Sequence, residues 1–368
     1  MVGPGKHPRI ISLACFAAFM PVACAAGASD TQTPANAPDQ TSPPHSIPLP
    51  VAGIYGNTGL WKVFTADTLP ARQIAVSSWY DRINRNPGEL VISAFGFGGA
   101  VGITNRFELG ISFEAHRDVE TGQPDQLSFG QQALGFFGDK TPGSPPLPSE
   151  LVAGSSMVPQ LRNPATPQGE LSGAAGYFNL FPFAGLVTSG GAAGDLSFGL
   201  KIGLLSESKG APLSVAVRPY FDLPIHKAIT FLMTHPVGTA DLQGGVDGIV
   251  SRNIGNTAAV SFNAGYRYIS QPAHVSVFQL AKELPLGFGL TIPRSARIRF
   301  AAESTADIFV GAHTPNTTFG PQDPVDLTIG FLGEFADRFS FSAGYRRPLN
   351  QFGGDKNGFV LDLGYLWK

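Results

Sequence analysis

The closing stretch of the chain, Gly358-Phe359-Val360-Leu361-Asp362-Leu363-Gly364-Tyr365-Leu366-Trp367-Lys368, limits the fold more than any other. Phe359, Leu361, Leu363, Tyr365 and Trp367 take every second position, with Asp362 and Gly364 between them. In an extended strand successive side chains point to opposite faces, so one face here is continuous and apolar while the other carries a carboxylate. A soluble sheet alternates too, with its apolar face turned to a core. In this stretch the apolar face is aliphatic in the middle and aromatic at both ends. That is the layout of a strand crossing lipid between two interfacial girdles. Phe359 falls at one expected girdle, and Tyr365 and Trp367 at the other.

The same alternation recurs back to Gln73. Phe107 to Glu114, Leu196 to Leu204, Val260 to Tyr268 and Phe339 to Arg346 show it most cleanly, each with small or polar residues opposite the apolar row. Altogether the chain reads as about twelve strands (range ten to fourteen) of roughly eight to thirteen residues, near the length that crosses a bilayer at a tilt. Composition agrees: charged residues are 14% against roughly 25% in soluble domains, while Gly reaches 45 and Phe 28. No apolar run beyond the N-terminus is long enough for a transmembrane helix. The expected class is therefore all-β, a transmembrane antiparallel up-and-down barrel. Connection lengths give it a direction. Asn105, Ser208, Asn253 to Asn256, Pro293 to Ala296 and Ala336 to Arg338 mark short turns. The connections between them, beginning with the one after Arg82, are read as the long type. Short turns belong to the periplasmic side and long loops to the outside. The longest loop, about 120–193, is Gly- and Pro-rich and is a candidate constriction or lid.

Ahead of the barrel, Lys6, His7 and Arg9 precede the apolar run Ile10 to Ala18 and then small residues, which reads as an export signal over 1–28. Residues 29–50 are rich in Pro, Ala, Ser, Thr and Gln and read as a disordered tether, leaving 51–368 for the barrel. Both cysteines, Cys15 and Cys24, lie in the signal, so the processed chain needs no disulfide. Val22-Ala23-Cys24 also resembles the end of a lipoprotein cleavage box, which makes Cys24 a candidate lipidation site; Pro21 stands where that box usually has Leu.

Several short motifs resemble bacterial outer-membrane β-barrel proteins of the porin-like class. They are Gly56-Asn57-Thr58-Gly59-Leu60-Trp61, Leu69-Pro70, Asn86-Pro87-Gly88-Glu89, the Gly199-Leu200-Lys201 hairpin core and Ala343-Gly344-Tyr345-Arg346. The resemblance spans roughly Gly56 to Lys368. It implies the outer membrane of a Gram-negative-type cell, contact with its lipid and lipopolysaccharide, and insertion by the barrel-assembly machinery. It carries over no active site. Typical members end in Phe, whereas this chain has Trp367 followed by Lys368.

Chemistry is concentrated on the polar faces. Glu108, Glu114, Lys201, Arg218, Asp241, Asp247, Arg267, Arg299, Glu303, Asp307, Asp326, Glu334, Arg346 and Asp362 are expected to face the lumen. In a water-filled pore they would set ion preference; in a closed barrel they would pair across strands as a polar core. A passive or selective channel for small solutes is the first reading, and a structural or surface-interaction barrel with a closed lumen the second. A lipid-modifying enzyme is the third. It would need a base within reach of a serine, and Ser112 and His116 lie about 13 Å apart along one strand. His116, His226, His235, His274 and His313 fall at loop ends without paired metal-ligand spacing, so neither a metal nor a cofactor is expected. A net charge of −2 gives no reason for nucleic acid.

Overall fold

A computed structural model describes residues 52–86, 88–122, 180–182, 184, 188–232, 234–239, 241–270, 280–311, 323–336, 338–350 and 357–367. All of them belong to the compact unit Ser46–Lys368. The proposed signal, the tether and Cys24 lie outside the described residues.

The strands are β1 (Ile74–Arg85), β2 (Leu90–Thr104), β3 (Phe107–Thr121), β4 (Ser189–Ala192), β5 (Leu196–Leu205), β6 (Ser214–Leu223) and β7 (Gln243–Ile254). The series continues with β8 (Ala258–Ile269), β9 (Lys282–Ile292), β10 (Ile298–Val310), β11 (Val325–Ala336), β12 (Phe339–Pro348) and β13 (Gly358–Trp367). Each pairs antiparallel with its sequence neighbours, except that β3 passes over β4 to pair with β5. β13 pairs with β1 in the register Ile74↔Trp367 to Arg82↔Phe359, which closes the sheet. The result is a twelve-stranded up-and-down barrel, with β4 attached outside the ring along the end of β3. Closure leaves no membrane-level edge with unsatisfied backbone groups.

Alternation sets the two faces as the sequence implies. On β13 the side chains of Phe359, Leu361, Leu363 and Trp367 point outward, while Val360, Asp362 and Leu366 are buried inside. Outward rows on the other strands are equally apolar: Phe97, Phe262, Ile298 and Phe331 are all exposed. So much contiguous apolar surface is not tolerated in water. Lipid is its solvent. At the turn end Phe335, Phe339, Tyr365 and Trp367 form a ladder of ring contacts. At the other end Phe359 stacks on Tyr80 with centroids 5.3 Å apart.

One connection departs from the expected pattern. The first is only 86–89, because β1 and β2 run on past the point where β1 leaves β13. Glu89 and Gly88 take left-handed backbone angles there (φ 49° and 90°) and tighten the turn. β3 likewise extends beyond the expected Glu114 to Thr121, and β4 pairs with that extension. This overhang has an apolar cluster of its own, Ile83, Leu90, Ile92, Val119 and Ala184, with Phe181 packed against it. Apolar residues too far out for the membrane thus bury one another. Of the long loop, 123–179 lies outside the described residues.

A second departure concerns the interior. Residues Ala52 to Leu69, read as the opening of the barrel wall, are not in the wall. They lie within the ring and fill its middle, with Trp61, Val63, Phe64 and Leu69 buried. The long loop was the expected constriction; among the described residues this N-terminal segment holds that place.

Candidate functional site

The inserted segment is mostly irregular. Two isolated bridges, Ala52↔Thr58 and Gly59↔Phe64, fold it into tight loops, and Gly56 (φ 83°) permits the first of them. Most of its backbone groups have no ladder to join, and a buried unpaired amide or carbonyl is costly. The wall supplies the partners. The Glu108 carboxylate accepts the Thr58 amide at 2.8 Å, the Leu69 amide at 2.9 Å and the Asn57 side-chain amide at 3.1 Å. Lys201, 3.2 Å from Glu108, donates to the carbonyls of Thr58 and Thr65, both at 3.1 Å. Both charges are fully enclosed. Opposite them, Glu303 accepts the amides of Lys62 and Val63 at 3.0 and 3.2 Å. Asn263 meets both backbone groups of Phe64, and Ser251 accepts the Ala66 amide. Ser77 and Ser112 donate to the carbonyls of Ala52 and Ile54. Trp61 closes the set, its indole N–H donating to Ser342 Oγ at 2.9 Å.

Room for the segment comes from inward glycines. A Cβ on Gly344 would stand 2.9 Å from Trp61, and one on Gly287 would stand 3.0 Å from Val63. Gly110 and Gly199 both face the Asn57 side chain at closer range. A side chain at any of these positions would force the facing side chain of the segment to shift.

The charges expected in the lumen therefore divide by partner. Glu108, Lys201 and Glu303 hold the inserted segment. Arg218 does both jobs, donating to Asn57 at 2.7 Å and to Asp247 at 2.8 Å while lying over the Phe64 ring. Arg267 pairs with Glu283 at 2.8 Å, Arg299 with Glu334 at 3.0 Å, and Glu114 with Arg117 at 2.6 Å. Arg346 pairs with Asp81 at 2.6 Å and Arg85 with Asp326 at 2.5 Å. Arg346–Asp81 reaches across β13, whose inward residues there are Gly358 and Val360, and Arg85–Asp326 joins β1 to β11 across both β13 and β12. Asp362 is buried beside Trp61 with neither oxygen hydrogen-bonded. Asp241 is the misplaced member of the set. It precedes β7 in the loop and caps the adjacent Leu242 amide at 2.7 Å.

Between the inserted segment and the loop end lies a cavity of about 230 Å³. Ile54, Trp79, Ile83, Ile92, Ala94 and Phe181 are its apolar lining; ion pairs from β6 to β9, and others that involve Lys62, β1, β3 and β11, supply the rest. Sequence reading missed Lys62, Asp81, Arg85, Arg117, Asp222 and Glu283 in this region. Asp81 and Arg85 share the inward parity of Trp79; Asp81 falls inside the expected strand yet was passed over, and Arg85 falls beyond its expected end at Arg82. Asp195, between β4 and β5, stands outside the strands. Burial pushes its carboxyl up to about 7, with Arg117 opposing and Glu114 and Asp222 adding to the rise.

Ser112 spends its hydroxyl on the Ile54 carbonyl. His226 and His235 stack on either side of Phe231, at 4.2 and 4.4 Å between centroids. His274 and His313 lie outside the described residues, and among the described ones no cluster of potential ligands could hold a metal.

Neither a family model nor a curated protein matches the chain. Similar solved structures include an outer membrane channel from Pseudomonas putida F1, with TM-score 0.47 and 11% identity over 82% of this chain and 97% of that one. The CymD monoaromatic hydrocarbon channel gives 0.37 and 12% over 80% and 88%. The KdgM porin gives 0.39 and 4% over 80% and 99%. The fold class itself stands on this chain's own strand pairing and outer face: it is a closed, twelve-stranded antiparallel transmembrane β-barrel.

Proposed function

We propose that the protein is an outer-membrane channel for small solutes, with the loop end outside and the turn end in the periplasm. Its lumen is narrowed by residues 52–69. The observation that carries the reading is the cavity above that segment. It is roomy, lined by both ion pairs and apolar side chains, and set in a barrel wider than the eight-stranded kind that side chains alone fill. Export by the N-terminal signal, insertion by the barrel-assembly machinery and contact with lipopolysaccharide belong to the same proposal.

A closed barrel with a structural or surface role is the second reading. It is favoured by how fully the inserted segment is gripped, since Glu108, Lys201, Glu303 and Asn263 leave it few free backbone groups. Planar-bilayer recording separates the two. Wild-type barrel, verified as folded by heat-modifiable gel mobility, should give discrete current steps. A folded preparation without steps would favour the closed barrel.

A further inference from the structure

The charges around the cavity do not balance. Its cations are Lys62, Arg85, Arg117, Arg218 and Arg267, and each has a carboxylate within ion-pair distance, Lys62 sharing Asp81 with Arg346. Two further carboxylates line the same cavity, Asp222 and Asp307. Neither has an ion-pair or side-chain hydrogen-bond partner among the described residues. Mutual pairing thus neutralises the cavity's positive groups and leaves two negative ones unspent.

The facing side is different in kind. Ile83, Ile92, Ala94 and Phe181 present apolar surface from β1, β2 and the 180–184 segment, flanked by Asp81 and Arg85 on β1 and by Arg117 over the Phe181 ring. Trp79 belongs to this side. It is 2% exposed, and its indole N–H has no acceptor among the described residues. An unpartnered buried N–H is uncommon and asks for an oxygen from elsewhere. The volume, about 230 Å³, lies somewhat above the roughly 150 Å³ of an apolar cavity that holds benzene and below most drug-sized sites. It suits one ring with a short side arm.

We infer that this cavity binds a small organic ammonium ion bearing a ring-sized apolar group. The ammonium would meet one of the two carboxylates, Asp222 on β6 or Asp307 on β10, and the ring would lie against Ile83, Ile92 and Phe181. A hydroxyl or ether oxygen on the ring would complete Trp79. Anions of the same skeleton meet uncompensated carboxylates and are disfavoured, as like charges facing each other across a recognition surface are.

The ligand class extends the channel reading, yet binding is measured without any current. Isothermal titration calorimetry on the folded full chain in detergent would compare phenethylammonium, tyramine and phenylacetate. Phenethylammonium should bind about tenfold or more tightly than phenylacetate, with tyramine at least equal to it. The Asp222→Asn/Asp307→Asn double variant should lose that preference. Equal affinity for the anion and the ammonium in the wild-type protein overturns the assignment, whatever the variant does. So does a preference that survives in a variant with wild-type gel mobility. A barrel that binds the ammonium but passes no current removes the channel reading and leaves the site; one that conducts without the preference does the reverse.

Discussion

Glu108 shows how a single residue changes meaning between sequence and structure. By parity it is an inward charge, and it is one; its partners are the Thr58 and Leu69 amides and Lys201 rather than passing ions. Removing it strands a buried ammonium and two amides. Glu108→Ala should lower stability by about 3–5 kcal/mol, the scale for breaking a buried pair from one side. Urea unfolding followed by gel mobility reads this directly, and a loss below about 1 kcal/mol would show that the pair is not enclosed. Asp195 makes a separate expectation about pH. Its carboxyl is raised to about 7 in the folded chain, so the native state holds a proton that the unfolded chain releases near 4. Stability should therefore fall as pH rises from about 4 to about 7, and stay lowered above that. Asp195→Asn should flatten this dependence and gain on wild type at pH 8, measured by thermal unfolding at pH 5 and pH 8. Equal pH slopes in both proteins would contradict the placement.

At the scale of elements, strand identity was legible and the inserted segment was not. Phe359 to Trp367 and Val260 to Tyr268 announce themselves because every outward position must satisfy lipid, which imposes a period of two on the sequence. Residues 52–69 answer to a dozen different wall partners, and no period can encode that. Their trace lies on the other side of the contact, in the inward Gly110, Gly199, Gly287 and Gly344, which look like ordinary barrel glycines until the segment is seen against them. Strand ends were misjudged for a related reason. Asp81 and Arg85 keep the inward parity of β1 beyond the apolar outer row that flags it, whereas a β-bulge at Ala115 shifts the inward face of β3 to Arg117, Val119 and Thr121. The glycines offer a test. Gly344→Leu places side-chain atoms where Trp61 and Thr328 already stand, and should cost about 1–3 kcal/mol while shifting Trp61 emission to the red. Unchanged emission and stability would mean that Trp61 does not pack on β12.

Across the whole molecule, two solvents and one filler fix the architecture. Lipid selects the outward rows, closure between β13 and β1 removes the edges, and the inserted segment gives the inward Glu108, Lys201, Asn263 and Ser251 their partners. The outer face can be probed at Leu363, which stands 61% exposed midway along β13. Leu363→Arg should destabilise the lipid-inserted barrel by about 2–4 kcal/mol, the cost of a cation near the bilayer midplane. A neutral result would place that face in water. The most direct test of the account is the single-channel conductance of a barrel lacking residues 52–69, set beside the wild-type chain in the same bilayer. With the segment filling the middle of the ring, its removal should open the lumen and raise the unitary conductance severalfold, while gel mobility stays that of a folded barrel. A folded deletion variant whose conductance equals that of the wild type would contradict the account, because the lumen would then be set by something other than this segment.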